Sequence, residues 1–194
     1  MSFLTDDEIA KLGLARVGSG ARISRLASLH NCANIRLGDR VRIDDFCVLS
    51  AGAGGIDIGN NVHVAVYTCL IGKGNITLND FANISSRVAI YSSNDDYSGA
   101  YMTGPTLPAE FSNITSGPVK VGRHAIIGSG SVVLPNVDIG EGAAIGALSL
   151  VREHCEAFAV YVGAPARKVK RRRRDLLALE QAYLLSMAAA DAAP

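Results

Sequence analysis

From Val121 onward every sixth residue is aliphatic: Val121, Ile127, Val133, Ile139, Ile145 and Val151. Glycine follows directly at four of these six steps. Four residues after each aliphatic stands a small or β-branched residue: Ala125, Ser131, Val137, Ala143, Ser149 and Cys155. A fixed six-residue period of this kind is too short for a helical repeat and marks a solenoid of short strands.

The same grammar runs backward through the chain. Leu78, Ile84 and Ile90 form one set, and Ile58, Val64 and Leu70 another. Leu37, Ile43, Leu49 and Val17, Ile23, Leu29 complete it. The coil starts at Val17, Leu37, Ile58 and Leu78 lie 20, 21 and 20 residues apart, against 18 from Val121 to Ile139. The extra residues always fall in the third hexad, so they belong to one corner. Hexads in threes give three flat sides per coil, with strands of successive coils hydrogen-bonded at about 4.8 Å. The aliphatic and the small residue of each hexad point inward, because a narrow triangular prism holds little else.

Composition agrees with such a prism. Among 194 residues there are 20 glycines and no tryptophan, which suits tight turns around a narrow core. The net charge of +1 gives no global attraction to nucleic acid. No apolar run reaches the length of a membrane span. The start, MSFLTDDEIAKLGL, is acidic and too polar for a secretory signal. Cys32, Cys47, Cys69 and Cys155 have no metal-ligand spacing, and Cys47 and Cys155 fall on the small inward position. A cytoplasmic protein with reduced thiols is the expectation.

Over residues 17–169 the pattern resembles the hexapeptide-repeat acyltransferases, whose fold is a left-handed parallel β-helix. The ending YVGAPARKVKRR is similar to that family's coil terminus, VxAGxPAKxIK. Within the family, DDF at Asp44–Phe46, SSNDDYSG at Ser92–Gly99 and GALSLV at Gly146–Val151 are similar to small sugar acetyltransferases of surface-polysaccharide synthesis. The expected fold is an all-β solenoid, the handedness being implied by the resemblance. It carries a loop excursion over 92–118, a helical segment over 1–16, and a C-terminal helix and tail over 170–194. Thr5 can cap the first helix, with Asp6, Asp7 and Glu8 in its first turn. In the second, Leu176, Leu177, Leu179, Tyr183, Leu184 and Met187 suit one packed face, expected to cover the prism end or a neighbouring subunit.

The resemblance implies acetyl-CoA as co-substrate, no metal, and a homotrimer with the cofactor in grooves between subunits. In the residues themselves, Gly128 and Gly146 are 18 apart and so stack, with Ser129 and Ala147 beside them. Such a line leaves a smooth groove with peptide groups for a thin pantetheine arm, although small residues are also what tight corners need. Ala164 continues the line to Arg167 and Lys168, which occupy the family's basic positions and can meet phosphates. Arg171–Arg174 can do the same, or form an ordinary solvated charge run.

From Ile90 to Val121 is 31 residues, so one long excursion leaves the prism there. Ordered loops of this length are usually functional. In the family such a loop shapes the acceptor pocket over a neighbouring subunit, which makes Asn94, Tyr97 and Tyr101 candidate substrate contacts. Many relatives place a basic histidine at the loop entry. Counted from VAI that position falls on Asp95, within one residue, and no histidine occurs between His63 and His124. Asp95 or Asp96 can serve as base or hold the ammonium of an amino sugar. Adjacent like charges tend to raise one pKa, which suits a base. Asn and Asp also simply start turns. His63 and His124 can enter from other coils, whereas His30 and His154 read as ordinary surface or packing residues.

An amine acceptor needs less help from a base than a hydroxyl does. The missing histidine therefore favours N-acetylation of a nucleotide-linked amino sugar for O-antigen or capsule. A sugar O-acetyltransferase and a non-catalytic trimeric β-helix remain the competing readings. A carbonic-anhydrase-like zinc enzyme is disfavoured, because the four histidines lack a stacked spacing.

Overall fold

The structure is a computed structural model, and it describes residues 2–191. The hexads form a left-handed parallel β-helix of about seven coils. Its first face stacks Arg16–Val17, Ile35–Leu37, Ile56–Ile58, Ile76–Leu78, Val119–Val121 and Val137–Ile139. The second begins with Arg22–Ile23 and Arg42–Ile43 and runs through His63–Val64, Asn83–Ile84, Ile126–Ile127 and Ala144–Ile145 to Ala159–Val162. The third runs from Ser28–His30 to Leu150–Val151. Register follows the period: Ile84 pairs with Val64 and Ile127, and Ile90 with Leu70 and Val133.

The aliphatic positions and the small positions share one core. Val121, Ile127, Val133, Ile139, Ala125 and Ala143 have no exposed surface, and Ser131, Ser149 and Cys155 are buried beside them. Ser131 and Ser149 are tolerated there because both hydroxyls donate to the Gly146 carbonyl, at 3.0 and 2.7 Å. All four cysteines are free, and burial pushes the Cys47 and Cys155 thiols up to about 11, which keeps them as protonated packing groups. Val17 departs from the pattern. It is 37% exposed, because the first coil has no coil beneath it.

Each corner turns through a residue in the left-handed conformation. At the first corner, between first and second faces, these are Gly20, Arg40, Asn61, Phe81, His124, Gly142 and Phe158. At the second they are Phe46, Tyr67, Arg87, Gly130 and Leu148. The N–H of each second-corner residue donates to the coil below, as in Tyr67 to the Asp45 carbonyl and Leu148 to the Ser129 carbonyl. The third corner holds the longer turns and the excursion. There the chain leaves after Tyr91, pairs Ser93–Asn94 antiparallel with Thr115–Ser116, and rejoins the first face at Val119.

Both flanks differ from the sequence expectation. Helix α1 spans only Asp6–Ala10, with the Thr5–Glu8 capping box, because Gly13 turns left-handed and Arg16–Val17 join the first face. Helix α2 (Leu176–Asp191) does not cover the prism end. That end is closed by Arg167–Arg171, which doubles back antiparallel on Ala159–Val162. The helix lies along the first corner instead, and among its described residues the buried one is Glu180, not a leucine. Glu180 accepts from Arg123 and His124, Tyr183 donates to Asn61 at 3.0 Å, and the Tyr183 ring packs edge-on against Phe81. Leu179 and Leu184 of the expected apolar face point outward, at 70% and 44% exposure.

Candidate functional site

The second corner carries the small-residue line. Just past the second-face strands, Asp44, Ala65, Ser85, Gly128 and Gly146 stack in register, each N–H donating to the coil above. The next residues are Asp45, Val66, Ser86, Ser129 and Ala147. Ser129 and Ala147 are exposed, and their N–H groups make no hydrogen bond among the described residues. A linear acyl-carrier arm can therefore bind these peptide groups without displacing any bond of the solenoid. The groove depends on the absence of side chains: a Cβ on Gly128 would stand 2.5 Å from the Ala147 nitrogen. The left-handed Gly130 leaves a notch in a ridge otherwise built by Phe46, Tyr67, Arg87 and Leu148.

The line continues toward the second-corner edge of the last strands. The Gly146 N–H donates to the Tyr161 carbonyl, Gly163 binds the Ser149 hydroxyl, and Ala164 follows at the surface. Arg167 pairs across to Val162 and so sits at the same edge, where it meets Glu153 at 3.5 Å. Lys168 is engaged by Glu156 at 2.6 Å. The pair holds Glu156 below the usual carboxylate range, first through the hydrogen bond and then through charge.

The excursion carries the acidic pair. Asp95 is exposed and its carboxylate has no partner among the described residues. Asp96 instead accepts from the Ser98 hydroxyl at 2.9 Å and from the Gly99 N–H at 2.9 Å. Those bonds, the Ser98 one foremost, hold its pKa below the ordinary value. The expectation that the neighbouring charge would raise one of the two is thus corrected for Asp96, which closes a turn. Asp95, Asp96, Tyr97, Gly99, Tyr101 and Thr103 line a depression of about 420 Å³. Asn94 is not among the lining residues and is held in the Ser93–Asn94 ribbon, while Tyr97 projects at 92% exposure. Thr103 was not among the sequence candidates.

The two histidines separate. His124 sits at the first corner, at the far end of the Val119–Val121 strand from the excursion. Its Nε2 is 2.7 Å from Glu180, and its ring stacks on Phe81 at 4.9 Å. Burial, then the Arg123 charge, holds its pKa below the ordinary value. His63 projects from the second face with Nε2 2.8 Å from Asp44, whose carboxylate also accepts from Arg42 Nε at 2.7 Å. Burial alone would raise the Asp44 pKa. The bonds from His63 and Arg42 outweigh it and bring the net shift below the usual value. In the sequence DDF is only a family cue. The available signal was an aspartate at a stack position filled elsewhere by Ala65, Ser85, Gly128 and Gly146.

Comparison with known proteins decides the family. Residues 118–153 match the family described as Bacterial transferase hexapeptide (six repeats). The dTDP-4-amino-4,6-dideoxy-D-glucose acyltransferase of Escherichia coli is 55% identical over 183 residues, 94% of this chain and 95% of that one. The chain belongs to the hexapeptide-repeat acyltransferases. Among solved structures of the family, AntD, an N-acyltransferase from Bacillus cereus in complex with dTDP and 3-hydroxybutyryl-CoA, superposes with a TM-score of 0.92. It shares 45% identity and the match covers 96% of this chain and 98% of AntD. A perosamine N-acetyltransferase from Caulobacter crescentus, at 18% identity and TM-score 0.58 over 78% of this chain and 57% of that one, shares the fold. Among the described residues no helix is long and apolar enough to cross a membrane.

Proposed function

We propose that this hexapeptide-repeat acyltransferase moves an acyl group, acetyl in the first instance, from acyl-CoA to the amino group of a dTDP-linked 4-amino-4,6-dideoxy sugar. The observation that carries this reading is the 55% identity to the E. coli enzyme across nearly the whole of both chains. The AntD complex with dTDP and an acyl-CoA supports the same donor and nucleotide.

The small-residue line and Asp95 lie at different corners of one prism, separated by the width of the third face. One chain does not bring them together, which supports a homotrimer with each site between the loop of one copy and the second corner of its neighbour. There the pantetheine arm lies along Ser129, Gly146 and Ala147 toward Ala164, and its phosphates meet Arg167 and Lys168. Asp95 holds the acceptor ammonium and takes its proton, and Asn94, Tyr97 and Tyr101 flank the sugar. The nitrogen lone pair then attacks the thioester carbonyl carbon. The new C–N bond forms as the C–S bond breaks, and the thiolate leaves with a proton as CoA-SH. The free Asp95, against an occupied Asp96 and His124, supports this choice of carboxylate. We place the enzyme in the cytoplasm, in lipopolysaccharide or capsule precursor synthesis.

The test is CoA thiol release with acetyl-CoA or 3-hydroxybutyryl-CoA against dTDP-4-amino-4,6-dideoxyglucose and its 4-hydroxy counterpart. Release with the amino sugar alone is expected. Release with the hydroxy sugar alone would assign O-acylation, and no release with either would remove the enzymatic reading.

A further inference from the structure

The basic run near the chain's end does not act as one block. Strand Arg167–Arg171 carries it from the second corner, where the small-residue line ends, across the second face to the first corner. Arg167 stays near the line, and Lys168 stands in mid-strand between the two corners. Arg171, Arg172 and Arg174 reach the opposite side, where with Lys168, Glu156 and Phe158 they line a cleft of about 400 Å³.

The cations in this cleft are poorly compensated. Lys168 has Glu156, and Arg173, outside the cleft, has Asp175 at 2.5 Å. Among the described residues no carboxylate lies within ion-pair distance of Arg171, Arg172 or Arg174. The Arg172 guanidinium is half-buried and donates only to neutral groups, the carbonyls of His124, Gly142 and Ala143 at 2.9, 3.0 and 3.4 Å. Burial lowers its pKa, the mark of a charge without a local counter-ion. Arg174 is positioned rather than loose, its guanidinium 4.5 Å above the Phe158 ring. Three fixed or flanking guanidinium groups around an open cleft make a receptor for a planar-faced, multiply charged oxyanion.

We infer that this cleft binds a phosphate group, at a site separate from the Ser129–Ala147 line. Arg171 and Arg174 supply the contacts that form on binding, and Arg172 holds the wall. The phosphate can come from a free anion or from the phosphate monoester of a CoA molecule whose arm lies on the line. The inference rests on the cleft itself and does not require the proposed acyl transfer.

Inorganic pyrophosphate, CoA and dephospho-CoA are titrated by calorimetry into the wild type and the Arg171→Gln/Arg174→Gln double variant. Both positions are exposed, so circular dichroism should stay unchanged. The expected result is pyrophosphate binding that weakens at least ~10-fold in the variant, as for lost charge-assisted hydrogen bonds. If CoA weakens equally while dephospho-CoA does not, the monoester is the source; if CoA is unaffected, the site takes a free anion. Pyrophosphate and CoA affinities both unchanged by the double substitution would overturn the inference. So would pyrophosphate failing to bind the wild type while CoA and dephospho-CoA bind it equally. Failure of CoA to bind at all would count against the acyl-transfer reading and leave the pyrophosphate result to decide this one.

Discussion

The Glu180 carboxylate of α2 meets His124 Nε2 at 2.7 Å and also accepts from Arg123, so the C-terminal helix is fastened to the prism through a buried acid and not through its leucines. Removing the charge while keeping the shape tests this fastening. Glu180→Gln should lower stability by ~1–3 kcal/mol, the range for a disturbed buried polar contact. Thermal unfolding followed by circular dichroism reads the loss, with limited trypsin cleavage at Arg171–Arg174 rising in parallel. A variant as stable and as resistant as wild type would show that the helix is held by something else.

The burial of His124 beside Arg123 gives a pH dependence. His124 has a folded pKa below its unfolded value of about 6.5. The folded state therefore binds that proton less readily than the unfolded chain, and the unfolded state gains as pH falls. Stability should hold above about pH 7 and decline as pH is lowered through about 6.5. His124→Asn should flatten that segment of the melting-temperature profile relative to wild type. Parallel profiles would remove His124 as the source.

Asp95 and Asp96 should part company on substitution. Asp95→Asn should cut the acyl-transfer rate at least ~10-fold, the weak end of losing a proton acceptor. Asp96→Asn keeps a side chain that can accept from Ser98 and Gly99, so a smaller loss, under ~5-fold, is expected from a loosened turn. Steady-state rates with saturating acyl-CoA decide it. If His124→Ala abolishes turnover while both Asn variants stay near wild type, the assignment is wrong.

The groove at the second corner makes a steric prediction. Ala147→Leu adds bulk beside two N–H groups that make no hydrogen bond among the described residues, and should raise KM for acyl-CoA ~10-fold or more by removing uniform binding. Gly130→Ala is different in kind. Gly130 has φ 72° and an added Cβ would stand 2.7 Å from Leu148 Cδ2, so it should cost stability through backbone strain of ~1 kcal/mol or more. Calorimetric CoA titration and melting curves separate the two effects.

Most of the prism was legible because its signal is local and periodic. The inward side chains of Val121 through Val151 and their small partners follow from spacing alone. What the spacing could not reveal were contacts between residues far apart in the chain. Glu180 reads as a surface residue of an amphipathic helix until the stacked left-handed corner residues Phe81 and His124 are seen to form its track. His124 looked as available as His63 for the same reason. Arg171–Arg174 read as one charge run until the reversal onto Ala159–Val162 sends them to a different corner from Arg167. At the excursion, composition gave the acidic pair, but only the turn bonds of Asp96 distinguish it from Asp95.

The track of α2 along the first corner also bears on how such a chain can lengthen. Contacts step from Phe158 through His124 and Phe81 to Asn61 as the helix advances from Arg174 to Tyr183. Each coil rises about 4.8 Å, and one helical turn about 5.4 Å. A duplicated coil therefore shifts the strap by close to one turn, and three or four inserted helical residues would restore its grip. Growth by whole coils, matched by short insertions near the C-terminus, is the kind of length polymorphism this architecture can absorb.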